Sequence, residues 1–381
     1  MTPEHVDDEV LWRLFARFVA ADTSVRPGEI RVDARDEQLA AFMSDVAAPV
    51  LRELGATAEL DEANNVLARF GPETGEELLL VCYPVSHHGN EMDEPLRARR
   101  RDGLWVGLGA SQGKGGLASV CAALGLLREE GIDPSGRVAV AVSSEGGSSH
   151  ASSKVLYARF AKLPAGAVLV VGTGNRISLG NRGRVDVVVR AEGRATHSSA
   201  AAPGDNPIPV VVEAQRRIGG LMLGGEPHPL LGPRSLVPYR LVCGPVAPHT
   251  IPAWCELALD RRILHGEDPD EVTAAIRALL GDLPVTVERG PTMLPALVDE
   301  DARVVVALQE GARAALGRPL ETLYRRDTFD AGYPCSLGVP AVMCGPSTSD
   351  FGGRDVLGED AVDPQALREA AAVFAAAVAS K

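Results

Sequence analysis

The run Val138-Ala139-Val140-Ala141-Val142 constrains what this chain can fold into more than any other stretch. Five small apolar residues, with β-branched valine at every second position, form a strand buried on both faces, as in a parallel sheet covered by helices. The run stops at Ser143-Ser144-Glu145-Gly146-Gly147, polar and glycine-rich. An open α/β sheet presents its chemistry at such places, the carboxyl ends of its strands. Leu78-Leu79-Leu80-Val81-Cys82 ends the same way, in Tyr83-Pro84-Val85-Ser86-His87-His88, and Ala167-Val168-Leu169-Val170-Val171 ends in Gly172-Thr173-Gly174-Asn175. Three polar strand tips predict one crevice.

A chain of 381 residues is expected to form two domains, or one domain with a large insertion. Its 38 Lys+Arg against 51 Asp+Glu give a net charge of −13, which argues against a nucleic-acid surface. No apolar run approaches the ~18 residues of a membrane helix. The first ten residues are acidic and polar, unlike a secretory signal, so a cytoplasmic location is expected. The six cysteines sit mostly inside apolar runs without a C-x-x-C, and are expected to be buried reduced thiols.

Taken in order, Leu11, Leu14, Phe15, Phe18 and Val19 make a helical stripe, and 38–54 reads as a second amphipathic helix. A strand pair is expected over 56–70, around Glu62-Ala63-Asn64-Asn65. The basic run Arg97-Ala98-Arg99-Arg100-Arg101 reads as a solvated loop. The glycine-rich stretch 107–116, which opens a helix over 117–130, fits neither phosphate-binding pattern, so tight backbone packing is its better explanation. From Arg184 the pattern becomes strand 184–191, helix 207–221, strand 236–243, strand 254–262, helix 268–281, strand 284–288. That β-α-β-β-α-β order is the ferredoxin-like unit. It interrupts an α/β domain that resumes with helix 301–316, strand 341–344 and an Ala-rich helix from Pro364. The expected division is a discontinuous catalytic α/β domain, 1–180 and 290–381, with an inserted lid at 181–289. An interdomain cleft is a favoured place for a small-molecule site.

Several stretches, in this order and spacing, resemble one family. They are Asn65-Val66-Leu67-Ala68, the run Gly107 to Gly116, Gly193-Arg194-Ala195-Thr196-His197-Ser198-Ser199, Leu259-Asp260-Arg261-Arg262, Thr328-Phe329-Asp330-Ala331 and Gly345-Pro346. The chain is similar to the metallopeptidases and amidohydrolases that include acetylornithine deacetylase, succinyl-diaminopimelate desuccinylase, aminoacylase and the glutamate carboxypeptidases. The resemblance implies a zinc-peptidase-like catalytic domain with a ferredoxin-like α+β lid, and a homodimer formed through that lid. It also implies two zinc ions held by His, a bridging Asp, Glu, Asp or Glu, and His, with a glutamate as general base. Most of that set is missing. The first His-x-Asp falls on Tyr83-Pro84-Val85, the bridging Asp on Gln112, and the Glu-Glu pair on Ser144-Glu145. The next acid falls in Val171-Gly172-Thr173 and the last His on Asp355. Only Glu145 stays at a ligand position, with Asp355 as a substitute, so no metal cofactor is expected; zinc held by ligands rebuilt from His87, His88 or His150 is the alternative.

The lid keeps more of the pattern. His197 matches the lid histidine that resembles an oxyanion donor reaching into a partner's site. Arg262 matches the arginine that holds a substrate carboxylate. The usual Asn before Ile-Pro is His249 here, at His249-Thr250-Ile251-Pro252. Asn181-Arg182-Gly183 and Asp330 take hinge and wall positions. Glu145, His197, Tyr83 and Asp355 are therefore the expected catalytic residues, and Arg262, Gln112, Ser144 and His249 the expected substrate contacts. The expected substrate is a small amino-acid-like or N-acyl-amino-acid carboxylate, processed without metal by cyclisation, condensation, acyl transfer or hydrolysis. A metal-dependent amidohydrolase with rebuilt ligands and a non-catalytic binding protein are the alternatives.

Overall fold

The computed structural model describes residues 1–26, 36–72, 77–86, 92–134, 136–145, 149–202, 204–347 and 360–379. His87, His88 and Asp355 lie outside the described residues. The chain separates into two units. One comprises Met1–Asn181, Ala296–Tyr324 and Phe329–Lys381; the other comprises Arg182–Pro295 and Arg325–Thr328. The lid thus runs to Pro295 rather than 289, because its last strand is longer than 284–288.

Helix α1 (Asp8–Val19) starts where the Asp7 carboxylate accepts the Glu9 and Val10 N–H groups at 2.7 and 2.9 Å, and it buries Leu11, Phe15, Phe18 and Val19. Strands β1 (Thr57–Leu60) and β2 (Val66–Phe70) form the expected hairpin, followed by β3 (Glu77–Cys82). The glycine-rich stretch leads into helix α2 (Gly115–Glu129), β4 (Arg137–Val142), α3 (Ala151–Ala158), β5 (Gly166–Val170) and β6 (Ile177–Asn181). The lid supplies β7 (Gly183–Glu192), β8 (Thr196–His197), α4 (Ile208–Gly219), β9 (Ser235–Gly244), β10 (Thr250–Ile251), β11 (Trp254–Ile263), α5 (Pro269–Leu279) and β12 (Val285–Met293). Strand β13 (Ala296–Leu297), helix α6 (Arg303–Leu316), β14 (Thr322–Arg325), β15 (Ala341–Met343) and helix α7 (Pro364–Ala379) end the chain.

The larger unit is built on a nine-stranded sheet ordered β1-β2-β4-β3-β5-β15-β6-β13, with β14 beside β6. Its centre is parallel: β3 pairs with β4 and β5, and β15 with β5. These are the runs whose residues are apolar without alternation, because helices cover both faces. From β3 the chain crosses through α2 to β4 on one side, then through α3 to β5 on the other. The winding reverses beside β3, so the polar tips of β3, β4 and β5 meet at a topological switch point. On one face α7 packs against α2 and α6. Gly311 permits that approach, since a Cβ there would lie 2.7 Å from the α7 backbone at Ala377.

The lid sheet is antiparallel in the order β9-β11-β7-β12. Alternate residues Val185, Val187, Val189 and Ala191 of β7 face helices α4 and α5, which contribute Val211, Ala214, Ile218 and Ile276 to the same core. This is the ferredoxin-like order that the element pattern predicts.

Three expectations need correction. Cys243 and Cys255 are joined by a disulfide rather than reduced, because β9 and β11 set them directly opposite each other, with Cα atoms 4.1 Å apart. Cys82, Cys121, Cys335 and Cys344 are free. The basic run is exposed as expected but is not all loop: Arg99–Arg101 forms a strand with Leu104–Val106, and the Arg100 guanidinium stacks 4.5 Å from the Trp12 ring. The helix over 38–54 is broken by a π-helical stretch, Phe42–Ala47, just before Pro49, which has no N–H to donate. Among the described residues, no helix is long and apolar enough to cross a membrane.

Candidate active site

Tyr83 follows β3 directly, and its ring is buried edge-on against Phe329, with centroids 5.0 Å apart. Its hydroxyl donates to the Asp330 carboxylate, and burial followed by that negative charge pushes the phenol well above its usual range. The same carboxylate has a second neighbour. His150 Nδ1 lies 3.4 Å from Asp330 Oδ1, with the two side chains only 5% and 2% exposed. His150 occupies the N-cap of α3, and its ring lies 5.7 Å from that of Tyr333.

Glu145 ends the polar tip of β4. One oxygen accepts the hydroxyl of Ser149, and the other accepts the Ser152 N–H at 2.8 Å, one of the unpaired donors at the start of α3. Ser144 is wholly buried: its hydroxyl donates to Ala63 O at 2.6 Å, and its N–H to Asn65 Oδ1 at 3.0 Å. It braces the strand tip against the β1–β2 turn.

Gln112 lies in the π-helical turn Ala110–Lys114 before α2, and its amide donates to Asp360 Oδ2 at 2.9 Å. Asp360 also accepts the N–H groups of Gly109 and Ser111, at 2.7 and 2.8 Å. Burial raises the Asp360 carboxyl to about 6, against the pull of those three donors and of Lys114. Lys114 is itself buried, which lowers its ammonium to about 8, and it donates to Ala21 O at 2.7 Å. At Gly172 a Cβ would lie 2.5 Å from Ser111 O and 2.9 Å from Ser347 Cβ, so the packing leaves no room for a side chain of any kind.

These donors do not fit a zinc pair. The Tyr83 phenol keeps its proton and spends it on Asp330. Gln112 offers a neutral amide and Gly172 offers nothing. Glu145 is the one carboxylate at a described ligand position, and two hydrogen bonds already orient it. Among the described residues, no three His, Cys, Asp or Glu side chains are grouped to hold a metal ion. A catalytic zinc ordinarily needs three protein ligands.

The lid residues are arranged at the two ends of its sheet. At one end Arg262 donates Nη1 to Thr328 Oγ1 at 2.6 Å and Nη2 to Asp260 Oδ2 at 2.7 Å. At the other, β8 pairs with β10 in the register His197↔Thr250. There His197 and His249 come together with ring centroids 6.0 Å apart, His249 holding a left-handed φ of 53°. The Ser199 N–H donates to His197 Nδ1 at 3.3 Å, which leaves the proton of a neutral ring on Nε2. Eight residues of β11 separate the two ends, about 25 Å of strand.

Residues 85–380 match the sequence profile of Peptidase family M20/M25/M40. The chain belongs to that family. Among family relatives, the succinyl-diaminopimelate desuccinylase of Wolinella succinogenes is 23% identical over 260 residues, covering 66% of this chain and 70% of that enzyme. Human carnosine dipeptidase 1 superposes with a TM-score of 0.76 at 15% identity, over 97% of this chain and 95% of that one. The M20 family metallo-carboxypeptidase of Sulfolobus solfataricus gives 0.76 at 16% identity, over 98% and 99%. The M20 fold, an α/β domain with an inserted α+β lid, is thus present along the chain. Sequence reasoning missed two things: the meeting of His150 with Asp330, and the role of Asp360. The second had a faint signal, an acid set directly before the apolar pair Ala361-Val362.

Proposed function

We propose that this M20 chain acts on a small amino-acid-like or N-acyl-amino-acid molecule with a free carboxylate, and that it works without the zinc pair of its family. The observation that carries the reading is the fate of the ligand positions: Tyr83, Gln112 and Glu145 are each hydrogen-bonded into the protein, and Gly172 has no space for a ligand. In this reading Arg262 takes the substrate carboxylate with its planar fork. His197 offers its Nε2–H to the acyl oxygen, with His249 beside it. Glu145 and Tyr83 polarise the site, Gln112 shapes its wall, and Ser144 acts from behind it by holding the strand tip; Asp355, the other acid expected from the sequence, lies outside the described residues. A homodimer through the lid accounts for the distance between His197 and Arg262, each completing a different subunit's site. The edge strand β9 supports such pairing, since Val237, Tyr239 and Leu241 are about half exposed along it.

Protein purified without chelator is assayed for bound metal. It is then offered N-acetyl- and N-succinyl-amino acids and dipeptides, with and without chelator. The expected result is far less than one zinc per chain and turnover that chelator leaves unchanged. One or two zinc ions per chain, with activity lost to chelator and restored by metal, would establish the metal-dependent reading instead. Binding of these compounds by calorimetry with no turnover would make the chain a binding protein.

A further inference from the structure

A second set of polar side chains converges on the carboxyl ends of β3 and β4, and the family's chemistry does not use it. His150 and Asp330 face each other at 3.4 Å in a nearly closed setting. Tyr83 donates to the same carboxylate. Tyr333 covers the imidazole at 5.7 Å, and Tyr157 abuts Tyr333 edge-on at 6.0 Å. Burying an imidazole and a carboxylate side by side costs stability that apolar residues of the same volume would not, so such a pair is a candidate for chemistry. Its position at the switch point of the sheet is where an open α/β fold places its reactive groups.

We propose that His150 is the acid–base residue of this site and that Asp330 positions it; this rests on the acyl-compound reading above. In the working site the 3.4 Å gap closes, and Asp330 accepts the proton on Nδ1, which fixes the tautomer and turns Nε2 into the basic nitrogen. In a hydrolysis, Nε2 removes a proton from water as the water oxygen bonds to the acyl carbon and the carbonyl electron pair moves onto its oxygen. The imidazolium then returns that proton to the leaving nitrogen while the pair re-forms the carbonyl and the C–N bond breaks. A carboxylic acid and an amine leave, and His150 is neutral again. Tyr83, which donates to the same carboxylate, helps to hold it in place.

The test uses p-nitrophenyl acetate, which needs only acyl transfer, beside the N-acyl-amino acids. His150→Gln and His150→Ala are expected to lose about 100-fold or more in kcat with little change in KM. Imidazole added to the buffer should restore part of the His150→Ala rate. Asp330→Asn should lower kcat and move the proton of His150 from Nδ1 to Nε2 in two-bond 1H–15N spectra. Rates within twofold of the unaltered protein in both His150 variants would overturn the proposal. Should neither variant fold, the spectrum of the unaltered protein decides: an Nδ1–H ring supports the proposal and an Nε2–H ring overturns it. Ester turnover that needs His150, with no N-acyl-amino acid processed, keeps the dyad and removes the proposed substrate. N-acyl-amino-acid turnover indifferent to His150 removes the dyad alone.

Discussion

Arg262 is held before any ligand arrives, with Thr328 and Asp260 each taking one end of its fork. A lysine would keep the charge but lose the planar fork whose two ends meet Asp260 and Thr328. Arg262→Lys is therefore expected to weaken a carboxylate ligand about tenfold or more, the cost of a charged hydrogen bond. Calorimetry with any compound found to bind checks it, and equal affinity would take Arg262 out of the site. Arg262, His197 and Glu145 were readable as candidates because each lies in a short motif whose neighbours are also recognisable. The partner of His150 was not, since Asp330 arrives from a distant part of the chain and only the folded sheet brings it there. Asp360 was hidden for the same reason, its hydrogen bond to Gly109 spanning 251 residues.

Asp360 acts on an element, pinning the turn that launches α2 by accepting from Gly109, Ser111 and Gln112. Its carboxyl is raised from 3.8 to about 6 in the folded protein. Between those values the folded chain holds a proton that the unfolded chain has lost, so this group's contribution to stability falls as pH rises through the window. The loss approaches ~3 kcal/mol above pH 6. In denaturant titrations from pH 3.5 to 7, the stability difference between the native protein and Asp360→Asn should move by about that amount. A difference that stays flat would mean that the carboxyl ionises as easily folded as unfolded. Elements themselves read well from the sequence: the central runs became parallel strands, and the lid kept its β-α-β-β-α-β order. What escaped was set by packing across the chain. The arginine run pairs as a strand because Trp12 and Trp105 offer faces for Arg100, which no local pattern records.

For the whole molecule, the separation of His197 from Arg262 along the lid bears on the proposed homodimer. If each site draws His197 from a partner, His197→Ala and Glu145→Ala chains are each inactive alone. A hybrid dimer then keeps one intact site, so an equal mixture should regain roughly a quarter of the native rate. No recovery, with subunit exchange demonstrated by mass, would confine His197 to its own subunit or place it outside the reaction. The order of strands carries one more consequence. Strand β15 sits between β5 and β6, pairing with both, yet more than 150 residues of chain lie between β6 and β15. On the ribosome the lid has all four strands of its sheet once Met293 emerges. Its host waits for Ala341–Met343 with a seam through its middle, the edges of β5 and β6 unpaired. Through that interval the sheet of the inserted domain is finished and the sheet of its host is not.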